Sequence, residues 1–256
     1  MLEYRRRISV GSATPNRLLA ALTSAGGLDA EFEEVDLVLG RRLVRAGDIP
    51  AHAYFPINGV ISVVSTTAGG NTVEVAAVGK EGLVPGLAAA RALPSPFDLL
   101  VQVPGKAVRI ERARLFEHIE RSPKFRQRWL DYMHLLIIQI AQSAVCNRYH
   151  PARRRLARWL LTVADRAQSE TIPLTHEFAA TMLGGDRPRV TLAMRALRSR
   201  RLVHQHRGEL TILNRTGLIS AACECYARVS AATKRESDRV WPVQRDESGD
   251  GKGAPE

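Results

Sequence analysis

The chain has 256 residues, 45% of them hydrophobic and 25% charged, with a formal net charge of +11 and 3 cysteines. This is the composition of a folded protein with room for two cores, which argues against a disordered chain. Three cysteines do not make a disulfide framework, no apolar run reaches membrane-spanning length, and MLEYRRRISV has no apolar signal core, so a cytoplasmic protein without membrane contact is expected.

In chain order, residues 1–16 are basic and then turn-rich, and read as a loosely held arm. Asn16–Ser24 gives a short helix with Leu18, Leu19 and Leu22 apolar. From about Phe32 the texture changes to short β segments: DLVLG, RRLVRAGD, AYFPINGVISVVS, NTVEVAAVG, DLLVQVP and KAVRIE. Gly, Pro, Asn and Asp separate them at short intervals, the pattern of a small antiparallel sandwich or barrel. Val60–Ser65 against Thr72–Val78 is the clearest hairpin, and Leu115–Ile119 returns to helix.

Phe125–Tyr149 is a long helix without Gly or Pro. Leu130, Met133, Ile137, Ile140 and Ala144 alternate at spacings of three and four, an a/d seam over two heptads. The cluster Leu135–Ile138 covers more than one face, so the helix is expected to pack on its own barrel and on a second copy at once. His150-Pro151 ends it. Ala152–Ala167 is a further amphipathic helix. It begins with Arg153-Arg154-Arg155, either a solvated helix start or a phosphate contact.

Leu174–Asn214 carries the densest local information. Thr175 caps a helix with Glu177 in its first turn and Phe178, Ala179, Met182 and Leu183 apolar. Gly184-Gly185 stops it, Asp186 caps a second helix, and Pro188 sits in that helix's first turn, where its missing N–H is not needed. Val190, Ala193, Met194 and Leu197 form the buried stripe. Pro188, Thr191, Leu192, Arg195 and Ser199 point the other way, with Arg187 and Arg198 on the border. LVHQH and ELTIL, joined at Arg207-Gly208, make a hairpin beside it. Helix, glycine turn, basic helix and wing is the helix-turn-helix design, whose second helix enters the major groove. Thr216–Val229 is another helix, and the polar tail QRDESGDGKGAPE is expected to be disordered.

Charge supports this reading. Residues 151–215 hold 13 Lys/Arg and 5 Asp/Glu, a net of +8, whereas residues 22–120 hold 9 and 12, a net of −3. Charge concentrated in one domain points to a polyanion. Membrane-surface binding would need a basic amphipathic helix with an exposed apolar face, and none is found.

Barrel, long helix and winged helix-turn-helix in that order resemble the Crp/Fnr family of bacterial transcription regulators. The resemblance rests on YFPINGVISVV and VGKEGLVPG, on HPARRRLARWLL, and above all on LTHEFAATMLGGDRPRVTLAMRALRSRRLV, and it spans roughly residues 20–230. It implies an α+β chain with an N-terminal double-stranded β-helix (jelly roll), a long dimerisation helix and a C-terminal winged helix-turn-helix. The implied division is an arm (1–19), a cyclic-nucleotide-binding-like sensor barrel (20–120), the dimerisation helix (121–150), the DNA-binding domain (151–230) and a disordered tail (231–256).

The implied partners are double-stranded DNA, a second copy through the seam above, and RNA polymerase; the effector is left open. The expected DNA-binding residues are Thr175, His176, Asp186, Arg187, Pro188, Arg189, Thr191, Leu192 and Arg195. Arg187 is assigned to guanine and Leu192 to a thymine methyl, and Arg189, off the exposed face, to phosphate. Arg187 matches the first Arg of the family's Arg-Glu and second-Arg pattern, but Pro188 and Leu192 replace the other two, so the target sequence should differ.

Family members that bind cyclic AMP carry a Gly-Glu pair and an Arg that holds the phosphate. Here GLVPGLAAARALPSPFDLLVQV offers only Arg91 and Asp98, both placed in a solvated connector, and the inward positions of LLVQV are apolar or Gln102. No response to cyclic AMP is therefore expected. The N-terminal cysteine cluster of the iron–sulfur branch is missing as well. Cys223-x-Cys225, with no second such pair or nearby His pair, reads as structural, so neither metal nor cofactor is expected. His204 and His206 share a solvated wing face. A metal-dependent enzyme barrel would need converging histidines, and residues 30–120 offer only His52 and His118, far apart and outside the assigned strands. The alternative function is a ligand-binding jelly-roll protein whose basic domain docks an acidic protein.

Overall fold

The structure is a computed structural model, and it describes residues 6–8, 14–24 and 32–240. Strands β1 (Arg6–Ile8), β2 (Phe32–Leu37), β3 (Arg42–Val44), β4 (His52–Pro56), β5 (Val60–Thr66), β6 (Thr72–Val78), β7 (Asp98–Val103) and β8 (Gly105–Glu111) form two four-stranded antiparallel sheets. Their orders are β1-β2-β8-β4 and β3-β7-β5-β6, the two-sheet architecture of a jelly roll. The expected hairpin is β5–β6, with Ile61 opposite Val78 and Thr66 opposite Thr72. Leu37, Ile61, Val63, Ala76, Val78, Leu99 and Val101 fill the space between the sheets.

Several expectations are corrected. Arg6–Ile8 is not a loose arm segment but an edge strand paired with Phe32–Glu34. The second strand occupies Phe32–Leu37 rather than DLVLG, because Val38–Gly40 turns, with Arg41 N–H donating to Val38 C=O. His52 opens β4 and pairs with Glu111. Asp98 is not in a solvated connector: it opens β7, accepts a bond from Ala46 N–H at 3.0 Å and lies 3.7 Å from Arg42. Arg91 is exposed, at the end of a short helix α2 (Gly86–Ala90).

Helices close the outer faces. Asn16 caps α1 (Arg17–Ser24) through Leu19 N–H and ties it to Pro56 and Gly82 carbonyls at 2.9 Å. With α3 (Arg112–Arg121) and α4 (Pro123–Tyr149), α1 covers Phe32, Phe55, Val108 and Ile110 of the first sheet. Helix α4 buries Phe125, Trp129, Tyr132, Leu135 and Gln139 against the barrel, and Tyr132 donates to Leu83 C=O at 2.7 Å. Its predicted seam faces the other way. Leu130, Ile137 and Ala144 are exposed, Ile137 by 63%, while Met133 and Ile140 are half-buried.

The second sheet's outer face is covered by α5 (Ala152–Ala167). This helix buries Leu156, Trp159, Leu160, Leu161 and Val163, burial on more than one side that marks a helix between two layers. Val60, Val64, Ala77 and Val103 of the barrel share its core with Ala179, Met194 and Leu210 of the C-terminal helix-turn-helix unit (the head), so the two halves are packed together. Polar bonds cross the same seam. Trp159 Nε1 donates to Glu74 at 3.0 Å, and Ser62 Oγ lies 2.7 Å from Glu74 and 2.8 Å from Gln102. Gln102, expected to face into the barrel, thus faces out, under the head. Arg166 donates to Ala77 C=O at 2.6 Å and Gln139 at 2.8 Å, and lies 3.0 Å from the Glu81 carboxylate.

The chain ends on α6 (His176–Leu183), α7 (Arg187–Ser199), α8 (Arg215–Ala221) and α9 (Cys225–Val240) around a small sheet of β10 (Val203–His206), β11 (Glu209–Ile212) and β9 (Thr171–Pro173). The single helix expected over Thr216–Val229 is therefore two, broken at Ala222–Glu224. The second runs to Val240, well into the stretch expected to be tail; residues 241–256 lie outside the described residues.

Candidate nucleic-acid interface

The reading head is built by the local signals that predict it. Thr175 Oγ accepts Phe178 N–H at 3.1 Å, and Asp186 carboxylate accepts Arg189 N–H at 2.8 Å, so both helix N-termini are capped by their own side chains. Between them Gly184 takes φ +57, the left-handed closure that glycine adopts at little steric cost. A Cβ there would also sit 3.0 Å from Val73 of β6, so the turn packs directly on the barrel. At the wing tip Arg207 and Gly208 both have positive φ, as a tight two-residue hairpin requires.

Val190, Ala193, Met194 and Leu197 are buried, fixing the rotation of α7. Arg187, Pro188, Arg189, Leu192 and Arg195 consequently face solvent. Leu192 is 63% exposed, an apolar side chain held out of the core in the middle of a basic face. Arg189 is at the exposed N-terminal end, 3.1 Å from Asp186. Arg187 lies 3.8 Å from Glu177, so a carboxylate flanks it on the preceding helix.

Thr191 and His176 are half-buried and already partnered. His176 Nδ1 lies 3.1 Å from the Thr191 hydroxyl, and its Nε2 lies 2.8 Å from Gln205 Oε1. Gln205 in turn donates to Leu174 C=O at 3.1 Å. One imidazole thus ties α6, α7 and the wing together, which sets the angle between reading helix and hairpin. Sequence reasoning missed Gln205. Its signal was its parity: it alternates with the exposed His204 and His206, so it must face inward.

Also missed was a cleft of about 410 Å³ between the C-terminal half of α7 and the wing. Arg195, Arg198, Arg201 and His204 line it, with Ser199 and Leu213. Four cationic or protonatable groups around one open cleft favour a polyanion.

The three arginines that open α5 separate. Arg153 and Arg154 are exposed, but Arg155 is half-buried and donates to Leu183 C=O at the end of α6, where it satisfies a helix terminus. A second cleft, of about 390 Å³, lies between α2, the 93–97 loop and α4. Its walls are almost wholly apolar, including Val84, Leu87, Phe97, Met133, Leu136 and Ile140. No helix among the described residues is long and apolar enough to cross a membrane.

Comparison with known proteins agrees with this geometry. Residues 154–221 match the family model described as a Crp-like helix-turn-helix domain. No curated protein sequence matches the chain. Among solved structures, FixK2 from Bradyrhizobium japonicum superposes with a TM-score of 0.63 at 14% identity, covering 74% of this chain and 96% of its own. A Crp/Fnr-family transcriptional regulator from Thermus thermophilus gives 0.61 at 15% identity, covering 74% and 97%. The c-di-GMP-responsive global regulator CLP from Xanthomonas campestris gives 0.59 at 12% identity, covering 76% and 97%. At these identities the superpositions establish the fold, and the domain match establishes what sits at its C-terminal end. The chain therefore carries a Crp-like helix-turn-helix domain at residues 154–221, on a fold that it shares with Crp/Fnr-family regulators.

Proposed function

We propose that the chain is a Crp/Fnr-type transcription regulator that binds a two-fold-related duplex site as a homodimer, with 20–120 as sensor barrel, 121–150 as dimerisation helix and 151–230 as reading head. The observation that carries the reading is the exposed face of α7, rigidly backed by a buried stripe and by the His176 bridge. Arg187 at its start is placed for a bidentate contact to guanine, and Leu192 for a thymine methyl. Thr175, Asp186, Pro188, Arg189 and Arg195 surround these two and contact the sugar–phosphate backbone or neighbouring base edges. His176 and Thr191 act mainly by holding the reading helix in register with the wing.

Support for the dimer comes from α4. Leu130, Ile137 and Ala144 repeat every seven residues along one exposed line, a stripe that a second copy would cover. Ile137→Asp would put an unpaired carboxylate in that interface, at a cost of several kcal/mol. Sedimentation of this variant should give monomers. Its duplex affinity should fall at least tenfold, because two half-sites about 34 Å apart are no longer held together. A variant that stays dimeric would move the interface elsewhere.

The sensor does not take cyclic AMP on this reading. The apolar cleft against α4 has only the Ser95 side chain as a polar group in its lining, and that hydroxyl donates to Phe97 C=O at 2.7 Å. A cyclic phosphate in such a cleft would lose its hydration without a cation in return. The same argument applies to the c-di-GMP to which CLP responds. The cleft fits an apolar effector. Calorimetry with millimolar cyclic AMP should give no saturable heat, and a micromolar dissociation constant would overturn this part of the reading.

A further inference from the structure

All three cysteines of the chain meet one histidine at a single point, away from the DNA face. Cys146 and His150 end α4, Cys223 lies in the break between α8 and α9, and Cys225 opens α9. The four ligand atoms all lie within 4.8 Å of one another. Cys146 Sγ is 3.5 Å from Cys223 Sγ, and Cys225 Sγ is 3.5 Å from His150 Nδ1. The cysteines are buried and His150 is half-buried.

Ligands at about 2.3 Å (sulfur) and about 2.0–2.1 Å (nitrogen) around a tetrahedral zinc lie about 3.5–3.8 Å apart. Two opposite edges of the cluster already have that length, and no other exceeds it by more than about 1 Å. A disulfide is the other use of paired cysteines, but it needs sulfurs about 2.05 Å apart and leaves the third thiol over.

The surroundings point the same way. His150 Nε2 lies 3.1 Å from the Glu224 carboxylate, the partner that fixes a ligating imidazole's tautomer and aims its other nitrogen at the metal. Gln142 donates to Cys225 Sγ at 3.0 Å. The Arg155 and Arg158 guanidinium groups lie close enough to act on Cys146 electrostatically. Three thiolates and a neutral imidazole around a divalent cation leave one negative charge, which those guanidinium groups offset.

We propose that Cys146, His150, Cys223 and Cys225 form a closed Cys₃His zinc site. Soft thiolates with one imidazole select zinc over the hard cations, and four protein ligands leave no open position for catalysis. The site clips the end of α4 to the α8–α9 corner across residues 146–225, which hold α6, α7 and the wing. Its effect is to fix how the head hangs on the long helix. The assignment stands on the ligand cluster alone and does not depend on how α7 reads DNA.

The test uses the full chain, expressed with zinc and purified without chelator. Elemental analysis should find about one zinc per chain, with the thiols slow to react until a chelator removes it. Adding cobalt(II) to the reduced, metal-free protein should give the intense visible bands of a tetrahedral cobalt site and a thiolate charge-transfer band. Glu224→Gln should keep that spectrum while losing roughly tenfold or more in zinc affinity. Cys223→Ser should lose the spectrum and the zinc-dependent rise in Tm.

Metal well below one-tenth per chain, together with no cobalt spectrum in the wild-type protein, would overturn the proposal whatever the variants do. Zinc retained in full by a Cys146→Ser, Cys223→Ser double variant would equally overturn it, by placing the metal elsewhere.

Discussion

Helices α5 and α7 are both rich in arginine, and the same side chain does opposite work in each. On α7 the guanidinium groups of Arg187, Arg189, Arg195 and Arg198 stand in solvent; Arg189 pairs with exposed Asp186 at 3.1 Å and Arg187 lies 3.8 Å from exposed Glu177. On α5, Arg166 is buried and bonded to the barrel and to α4, and Arg155 closes the end of α6. Beyond α5, Arg215 is held by Asp165 and Glu170. Net charge therefore overstates the nucleic-acid surface: several of the 13 cations between 151 and 215 hold the head together or fasten it to the barrel. A free arginine can spend its charge on phosphate, whereas a fully bonded one cannot.

The largest effect that sharpens this contrast is on stability. Arg166→Leu removes the partner of a buried carboxylate, Glu81, and should cost about 3–5 kcal/mol in denaturant unfolding. Arg195→Ala, on the exposed face, should stay within about 0.5 kcal/mol. Equal losses would erase the distinction.

A smaller effect is on pH. Burial pushes the Glu74 carboxyl up to about 7, against hydrogen bonds from Ser62 and Trp159 and the nearby Arg158 and Arg166, which hold it down. The folded value lies above the unfolded one, so the folded state binds the proton more tightly between about pH 4.5 and 7. Stability from this group is present below that window and is lost as pH rises through it, on the order of 3 kcal/mol. Geometry gives a reason for the proton. The Ser62 hydroxyl has one hydrogen and two acceptors in reach, and a protonated Glu74 supplies the missing donor. Glu74→Gln should flatten the stability profile between pH 5 and 8; an unchanged slope would place the titration elsewhere.

On the DNA side the expected changes are smaller but selective. Arg187→Ala should cost about 1–3 kcal/mol in affinity and relax preference at one position per half-site. Arg195→Ala should weaken all sequences alike. Binding-site selection with each variant separates the two, and an unchanged preferred site for Arg187→Ala would mean that α7 enters the groove in another register.

The reading head was legible because its determinants are local. Two caps, one glycine turn and a stripe at helical spacing lie within about twenty-five residues, and each appears in the structure where the spacing puts it. What long-range packing decides was not legible. Strand texture was visible, but the pairing of Arg6–Ile8 with β2 has no local mark. Gln102 was assigned to the wrong sheet face because alternation gives the two faces and not which one is interior. Arg155 and Arg166 look like surface charge in an amphipathic helix; only the barrel packed against α5 reveals their partners. Cys223 and Cys225 looked isolated since Cys146 and His150 are more than seventy residues away in the chain.

The most direct test of the head's role is the salt dependence of duplex affinity, measured from low to physiological salt on the wild-type protein and on Arg166→Leu. If roughly six phosphates are neutralised per dimer, log affinity should fall against log salt with a slope of about −5. Arg166→Leu should keep that slope as long as it is folded, whereas Arg195→Ala should reduce its size by up to about 2 per dimer. A slope near zero, or no duplex binding at low salt, would contradict the account and favour an acidic protein as the partner of the basic face.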